Sequence, residues 1–205
     1  LPLWCDEVLL EHDAFVARFT KAVDAGAVGD PSGEVLMGPL LDEKFASRFE
    51  EYLGWIQPHH TVYGATGRIT AENPRPGFAG NPDAGLFYHP VIVDGVRPGD
   101  EIFEEETFGP IVAVTSYRSL DEAIALANAP GYGLSSSIYT TDPAEAYAFR
   151  RGISAGMVSV NNSTSGAEAH LPFGGNGKSG NGSRQSGMWV LDQFTRWQAM
   201  NWDYS

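Results

Sequence analysis

Residues Ile111–Asn161 read IVAVTSYRSLDEAIALANAPGYGLSSSIYTTDPAEAYAFRRGISAGMVSVN, and they decide the fold. Ile111–Tyr117 opens with an unbroken apolar run, which predicts a buried strand. Leu134–Tyr139 and Met157–Asn161 predict two more strands. Between the strands lie Ser119–Asn128 and Asp142–Gly152, each about one short helix long. Ser119 with Glu122 has the spacing of a capping box, and Asp142 with Pro143 and Glu145 repeats the pattern. Strands joined through helices cannot be hairpin neighbours. The expected fold class is therefore α/β, with a mainly parallel sheet flanked by helices.

The pattern extends in both directions. Upstream, Leu86–Val93 predicts a strand with Pro90 at an edge or bend, and His60–Ala65 another. Asp42–Ile56 predicts a helix whose apolar face is Phe45, Phe49, Tyr52, Leu53 and Ile56. His12–Gly26 predicts a helix capped by Asp13, and Leu1–Leu10 a short strand. Downstream, residues 163–187 form a loop dense in Gly, Ser and Asn. A short helix from about Met188 and a last strand, about Arg196–Trp202, close the chain. There is no internal repeat and no linker between two cores.

The chain has 205 residues, with 26 Asp and Glu against 13 Lys and Arg, a formal net charge of −13. A surface that acidic repels phosphate backbones and argues against a nucleic-acid partner. No apolar run reaches the roughly 18–20 residues of a membrane span, so no membrane partner is expected. The single cysteine, Cys5, forms no internal disulfide, which suits a reducing compartment and a cytoplasmic location. No Lys/Arg-led signal segment accompanies the Asn-x-Ser/Thr sequons around Asn161, Asn162 and Asn181, which are discounted.

Several segments look like chemistry and each has a plainer explanation. Gly175-Asn176-Gly177-Lys178-Ser179-Gly180 fits a dinucleotide fingerprint, but no strand precedes it and no good helix start follows. A loop that needs close backbone approach explains the glycines better. His59 and His60 point oppositely on an extended chain, so they are not expected to share a metal, and no metal site is expected. Cys5 has no activating neighbours and reads as a small buried residue. Glu101, Glu104, Glu105 and Glu106 read as a solvated charge run. However, Thr107-Phe108-Gly109-Pro110 fixes the backbone directly after Glu106, which is how a carboxylate is aimed at a ribose diol with a ring beside a planar ligand. Asn162–Glu168 follows a strand, where ligands of open α/β sheets bind, and its hydroxyls and N–H groups suit an anion. An ordinary Ser-rich turn is the alternative.

Three ordered motifs carry a family resemblance: Glu105-Glu106-Thr107-Phe108-Gly109-Pro110, Tyr132-Gly133-Leu134-Ser135-Ser136-Ser137-Ile138-Tyr139-Thr140, and Pro172-Phe173-Gly174-Gly175 with Lys178-Ser179-Gly180. The chain resembles the C-terminal half of the NAD(P)-dependent aldehyde dehydrogenase superfamily. Gly29-Asp30-Pro31, Met37-Gly38-Pro39-Leu40 and Phe87-Tyr88-His89-Pro90 fall where that family has similar segments. Thr164–Glu168 and Asp203-Tyr204-Ser205 are most similar to the branch containing α-aminoadipic semialdehyde dehydrogenase (antiquitin).

The resemblance implies an oxidoreductase that converts an aldehyde, such as an amino-acid semialdehyde, to its acid with NAD or NADP. It implies that Glu106 holds the nicotinamide ribose, that Phe108 flanks the nicotinamide, and that Leu134 flanks it too. It implies that Ser165, Gly166 and Ala167 anchor the substrate and that Phe173 lines its tunnel. Residues 1–195 would be a catalytic-domain portion, and 196–205 an oligomerisation strand serving a homodimer or homotetramer. The family's nucleophilic Cys, in a Gly-Gln-x-Cys context, would fall just before Leu1. The general-base Glu and the N-terminal NAD(P)-binding domain would lie further upstream. These 205 residues alone are then expected to be inactive, with no catalytic residue among them. The alternatives are a non-enzymatic assembly module working through its last strand and a simple anion-binding module.

Overall fold

The computed structural model describes residues 10–205, so the strand expected at Leu1–Leu10, apart from Leu10, and the surroundings of Cys5 lie outside the described residues. The described chain forms two compact units, one ending at Pro130 and one spanning Gly131–Ser205.

The first unit opens with helix α1 (Leu10–Ala25). Asp13 lies inside this helix and does not cap it, because the helical turn is already formed three residues earlier. The last turn of α1 has no basic residue of its own. Buried Arg75 supplies the cation instead, its Nη2 donating to the carbonyls of Val23 (2.6 Å) and Gly26 (3.1 Å). Helix α2 (Glu43–Gly54) starts at Asp42, whose carboxylate accepts from the N–H groups of Lys44 and Phe45. Its buried face is Ala46, Phe49 and Tyr52, continued by Trp55 beyond its end. Phe45, expected in that face, is 38% exposed, because Ala46 occupies the helical position that points into the core.

Strands β1 (Thr61–Tyr63), β2 (Val91–Asp94) and β3 (Ile111–Val114) form a sheet with β2 in the middle. β2 pairs antiparallel with β1 and parallel with β3, Val91 opposite Ile111. All four β2 residues are buried, as expected of a strand covered on both faces. β2 starts five residues later than Leu86 because Pro90 has no N–H for the ladder, while Leu86 and Tyr88 make single bridges to Leu40 and Arg68. The acidic run is not wholly extended: Glu101–Glu104 forms a one-turn helix, α3, that buries Ile102. Helix α4 (Leu120–Asn128) is capped by Ser119 Oγ, which accepts from the Glu122 N–H at 3.2 Å. The Glu122 carboxylate accepts from the Arg118 N–H and not from Ser119.

In the second unit, β4 (Tyr132–Gly133) pairs antiparallel with β7 (Asn176–Gly177). β5 (Ser135–Ile138) and β6 (Met157–Val160) form a parallel pair. Helix α5 (Pro143–Gly152) joins them, capped by Asp142 and buried through Phe149. Glu145 accepts from the Thr140 hydroxyl and does not close a capping box. α6 (Val190–Phe194) is short, and residues 195–205 adopt no regular secondary structure in the single chain. Two parallel strand pairs with intervening helices make the fold α/β. The strands fall into three small sheets within the described residues.

Candidate functional site

In the first unit, Glu106 and Phe108 sit on a six-residue segment, Glu105 to Pro110, held at both ends. The Glu105 N–H closes the end of α3 by donating to the Glu101 carbonyl at 3.0 Å. On the other side, the Pro110 carbonyl accepts from the Val91 N–H of β2 at 2.8 Å. Glu106 and Phe108 are exposed between these anchors, Phe108 by 57%. Fixed backbone beneath an exposed carboxylate and an exposed ring preorganises both groups for a ligand.

In the second unit, Leu134 separates β4 from β5 and is 41% exposed. Its carbonyl accepts from the Met157 N–H at 3.0 Å. The 163–167 loop leaves from the opposite, carboxyl end of the parallel pair. Ser137 Oγ donates to the Asn162 carbonyl (2.6 Å), and the Ser163 N–H donates to the Asn162 side chain (2.8 Å). The hydroxyls of Ser163 and Ser165 lie 2.6 Å apart, and the Ser165 N–H donates to Ser163 Oγ. Among the described residues, the N–H groups of Gly166 and Ala167 donate no hydrogen bond, and both residues are exposed. Two N–H donors and a hydroxyl therefore remain for an anionic group.

The chain then runs back toward the Leu134 end. Phe173 exchanges two backbone hydrogen bonds with Gln185 (2.6 and 2.8 Å), three residues before β7 pairs with β4. Leu134 and Phe173 thus share one end of the sheet pair, while Ser165, Gly166 and Ala167 start from the other.

The Gly-rich run is a packing loop. The Lys178 N–H donates to the Gly131 carbonyl (2.9 Å), and Ser179 Oγ accepts from the Gly133 N–H (3.0 Å). Gly177 has φ +57°, and a β-carbon there would overlap the Gly131 carbonyl oxygen. No helix opens after it, as a dinucleotide fingerprint requires. Arg184 ties the same loop together, with Nη1 on the Gly182 carbonyl (2.9 Å) and Nη2 on the Asn176 side chain (2.8 Å).

The histidine pair corrects the sequence expectation. The His60 N–H closes a turn on the Gln57 carbonyl, so the backbone there is not extended. Both rings reach Asp100, His59 Nε2 at 3.1 Å and His60 Nε2 at 3.0 Å from the same oxygen Oδ2. That oxygen also accepts from the Arg97 N–H at 2.9 Å. Burial raises the Asp100 carboxyl, but the donors, His60 foremost, outweigh it and hold it at about 2. Three ligand-type atoms thus lie within 4.8 Å of one another. The hydrogen bonds nevertheless favour protons over a metal. His60 Nδ1 accepts from the Gln57 N–H, so the ring proton sits on Nε2, the atom a metal would need bare. Sequence alone missed the cluster because Asp100 is 40 residues away from His60.

The aldehyde dehydrogenase family model matches residues 10–200. The chain is 48% identical over 118 residues to the aminoacetaldehyde dehydrogenase of Pseudomonas aeruginosa, covering 58% of this chain and 24% of that protein. It is 35% identical over 185 residues to the α-ketoglutarate semialdehyde dehydrogenase of Haloferax volcanii, covering 90% of this chain and 37% of that protein. Among solved structures it is similar to the aldehyde dehydrogenase of Mycobacterium tuberculosis complexed with NAD+, with a TM-score of 0.79 and 31% identity over 91% of this chain and 36% of that one. The Staphylococcus aureus betaine aldehyde dehydrogenase in complex with NAD+ gives a TM-score of 0.77 at 25% identity, over 94% of this chain and 39% of that one. The chain spans between a quarter and two fifths of the length of these proteins. On its sequence and its fold alike, the chain belongs to the aldehyde dehydrogenase family.

Proposed function

We propose that the intact protein oxidises an aldehyde to a carboxylic acid with NAD or NADP, and that this chain supplies part of the cofactor site and the substrate anchor. The carrying observation is the Glu106–Phe108 segment, exposed and held between α3 and β2. The residues fit the cofactor chemically. A carboxylate accepts from both hydroxyls of a ribose, and a flat aromatic face suits a planar heterocycle. Leu134, in the second unit, is a further candidate by the family resemblance alone. When bound, the dinucleotide accepts a hydride from the substrate. This chain's own part is to orient the ribose through Glu106, to shield the ring with Phe108, and to hold the far end of the substrate.

For that far end, the N–H groups of Gly166 and Ala167 with the Ser165 hydroxyl favour a carboxylate-bearing aldehyde, with Phe173 along its path. A semialdehyde of the aminoadipic kind fits this reading. The two relatives named above act on other aldehydes by their names, so the loop sets the class and not the individual substrate. We assign the exposed, aromatic-rich residues 196–205 to subunit contact in a homodimer or homotetramer, and the protein to the cytoplasm. The cofactor reading is tested on the intact protein by titrating the fluorescence of the reduced dinucleotide. Glu106→Gln should weaken binding about tenfold or more, as loss of charge-assisted hydrogen bonds does. Unchanged affinity would refute it.

A further inference from the structure

The Glu106–Phe108 segment rests on one buried side chain of α2. Phe49 is fully buried, and its ring lies where a β-carbon on Gly109 would go: such a carbon would overlap Cδ2 and crowd Cε2. The ring is itself held. It packs edge-on against Tyr88, with centroids 5.2 Å apart at 74°, and the Tyr88 hydroxyl donates to the Glu50 carboxylate one residue along α2 at 2.6 Å. Directly beyond Gly109, the Ile111 N–H donates to the Gly109 carbonyl at 2.9 Å, and Pro110 is bonded to β2. Gly109 is thus pressed between a fully buried ring and the start of β3, while its neighbour Phe108 faces solvent.

We infer that Phe49 is a positioning residue for the cofactor site, setting the height and direction of Phe108 and Glu106 through direct contact with Gly109. The inference rests on the cofactor reading above. Phe49 touches no ligand. It acts through the backbone, where displacement of about 1 Å is enough to weaken a preorganised site by one to two orders of magnitude. Gly109 has φ +157°, a backbone conformation that favours glycine, and the Phe49 ring fills the space a β-carbon would need besides. The two residues therefore form one device.

The experiment uses the intact protein and three readouts: the Kd of the reduced dinucleotide by fluorescence, the KM for aldehyde, and the melting temperature. Phe49→Val removes the ring atoms that meet Gly109, and Gly109→Ala pushes against them from the other side. Each should raise the dinucleotide Kd about tenfold, with a smaller change in aldehyde KM. Phe87→Val, a comparable core truncation in the cluster with Val28 and Ile69, should lower the melting temperature and leave the Kd unchanged. The double variant Phe49→Val/Gly109→Ala should bind better than Gly109→Ala alone, because valine leaves room for the new methyl. If Phe49→Val merely matches Phe87→Val, or if the double variant is additive, the proposal is overturned. Should Phe49→Val fail to fold, Phe49→Leu, which keeps apolar bulk but removes the flat ring edge beside Gly109, decides with the same readouts, and an unchanged Kd overturns it. An unchanged Kd in Glu106→Gln would instead strike the cofactor reading itself, and the proposal with it.

Discussion

Asn161 and Thr140 exchange two hydrogen bonds across the carboxyl ends of β5 and β6. Asn161 Nδ2 donates to the Thr140 carbonyl at 2.9 Å, and the Thr140 N–H donates to Asn161 Oδ1 at 3.0 Å. The side chain thus continues the ladder after the backbone has left it. Asn161 has φ +52°, one of two such non-glycine residues among those described. Asparagine tolerates that region better than most side chains. The turn it makes aims the following loop, Asn162 to Ala167. Asn161→Ala should therefore lower stability by about 2 kcal/mol, combining two lost hydrogen bonds with left-handed strain. It should raise the aldehyde KM more than the dinucleotide Kd. Asn161→Gly should recover the strain component alone. Denaturant melts and steady-state kinetics on the intact protein distinguish these outcomes.

Two glycines in the second unit should respond differently to alanine. At Gly177 the positive φ and the contact with the Gly131 carbonyl leave no space for a methyl. Gly177→Ala should destabilise by about 2 kcal/mol or more. At Gly166 a β-carbon meets nothing within 4 Å. Gly166→Ala should leave the melting temperature within a degree or two, so any change in aldehyde KM reports on substrate contact.

Two titrating clusters set limits on stability with pH. Burial lowers the pKa of His12, but its bonds to Asp13 (3.1 Å) and Asp94 (2.9 Å) outweigh this and raise it overall. With carboxylates on both ring nitrogens, the charged form is the one bonded twice. Its contribution is complete below the ordinary value of 6.5 and is lost as pH rises through the raised value. Asp100 behaves in the opposite sense. Its contribution is present above the ordinary 3.8 and is lost as pH falls toward about 2. His12→Gln should flatten the alkaline limb of melting temperature against pH, and Asp100→Asn the acid limb. A mutant curve parallel to wild type would refute the assignment.

The 205 residues contain one cysteine, and it lacks a Gly-Gln-x-Cys context. The isolated polypeptide should give no aldehyde-dependent reduction of NAD or NADP, and Cys5→Ser should change nothing. Turnover abolished by Cys5→Ser would reverse this.

Residues 196–205 carry Trp197, Met200, Trp202 and Tyr204, all more than 60% exposed. Removing these ten residues from the intact protein should reduce its oligomer size, as read by analytical ultracentrifugation. An unchanged mass would count against subunit contact through this segment.

Local chemistry made much of this fold readable. Apolar runs located β3 and β6, and the caps Ser119 and Asp142 marked the starts of α4 and α5. Three ordered motifs identified the family, because each combines residue types that few backbones require together. Sequence could not show what distant residues do to one another. Nothing near Gly109 announces Phe49, which is 60 positions away. Adjacent histidines look divergent until a turn brings both to Asp100. Arg75 looks like an ordinary surface cation until it caps α1. Leu86–Val93 read as one strand, because pattern reports apolar spacing and not which N–H groups find partners. Sequence by itself determined the main helices, the central strands and the family, since these depend on neighbours along the chain. Tertiary structure alone decided which ring sets Gly109 and which carboxylate gathers the histidines, because those contacts depend on packing between segments that the chain keeps far apart.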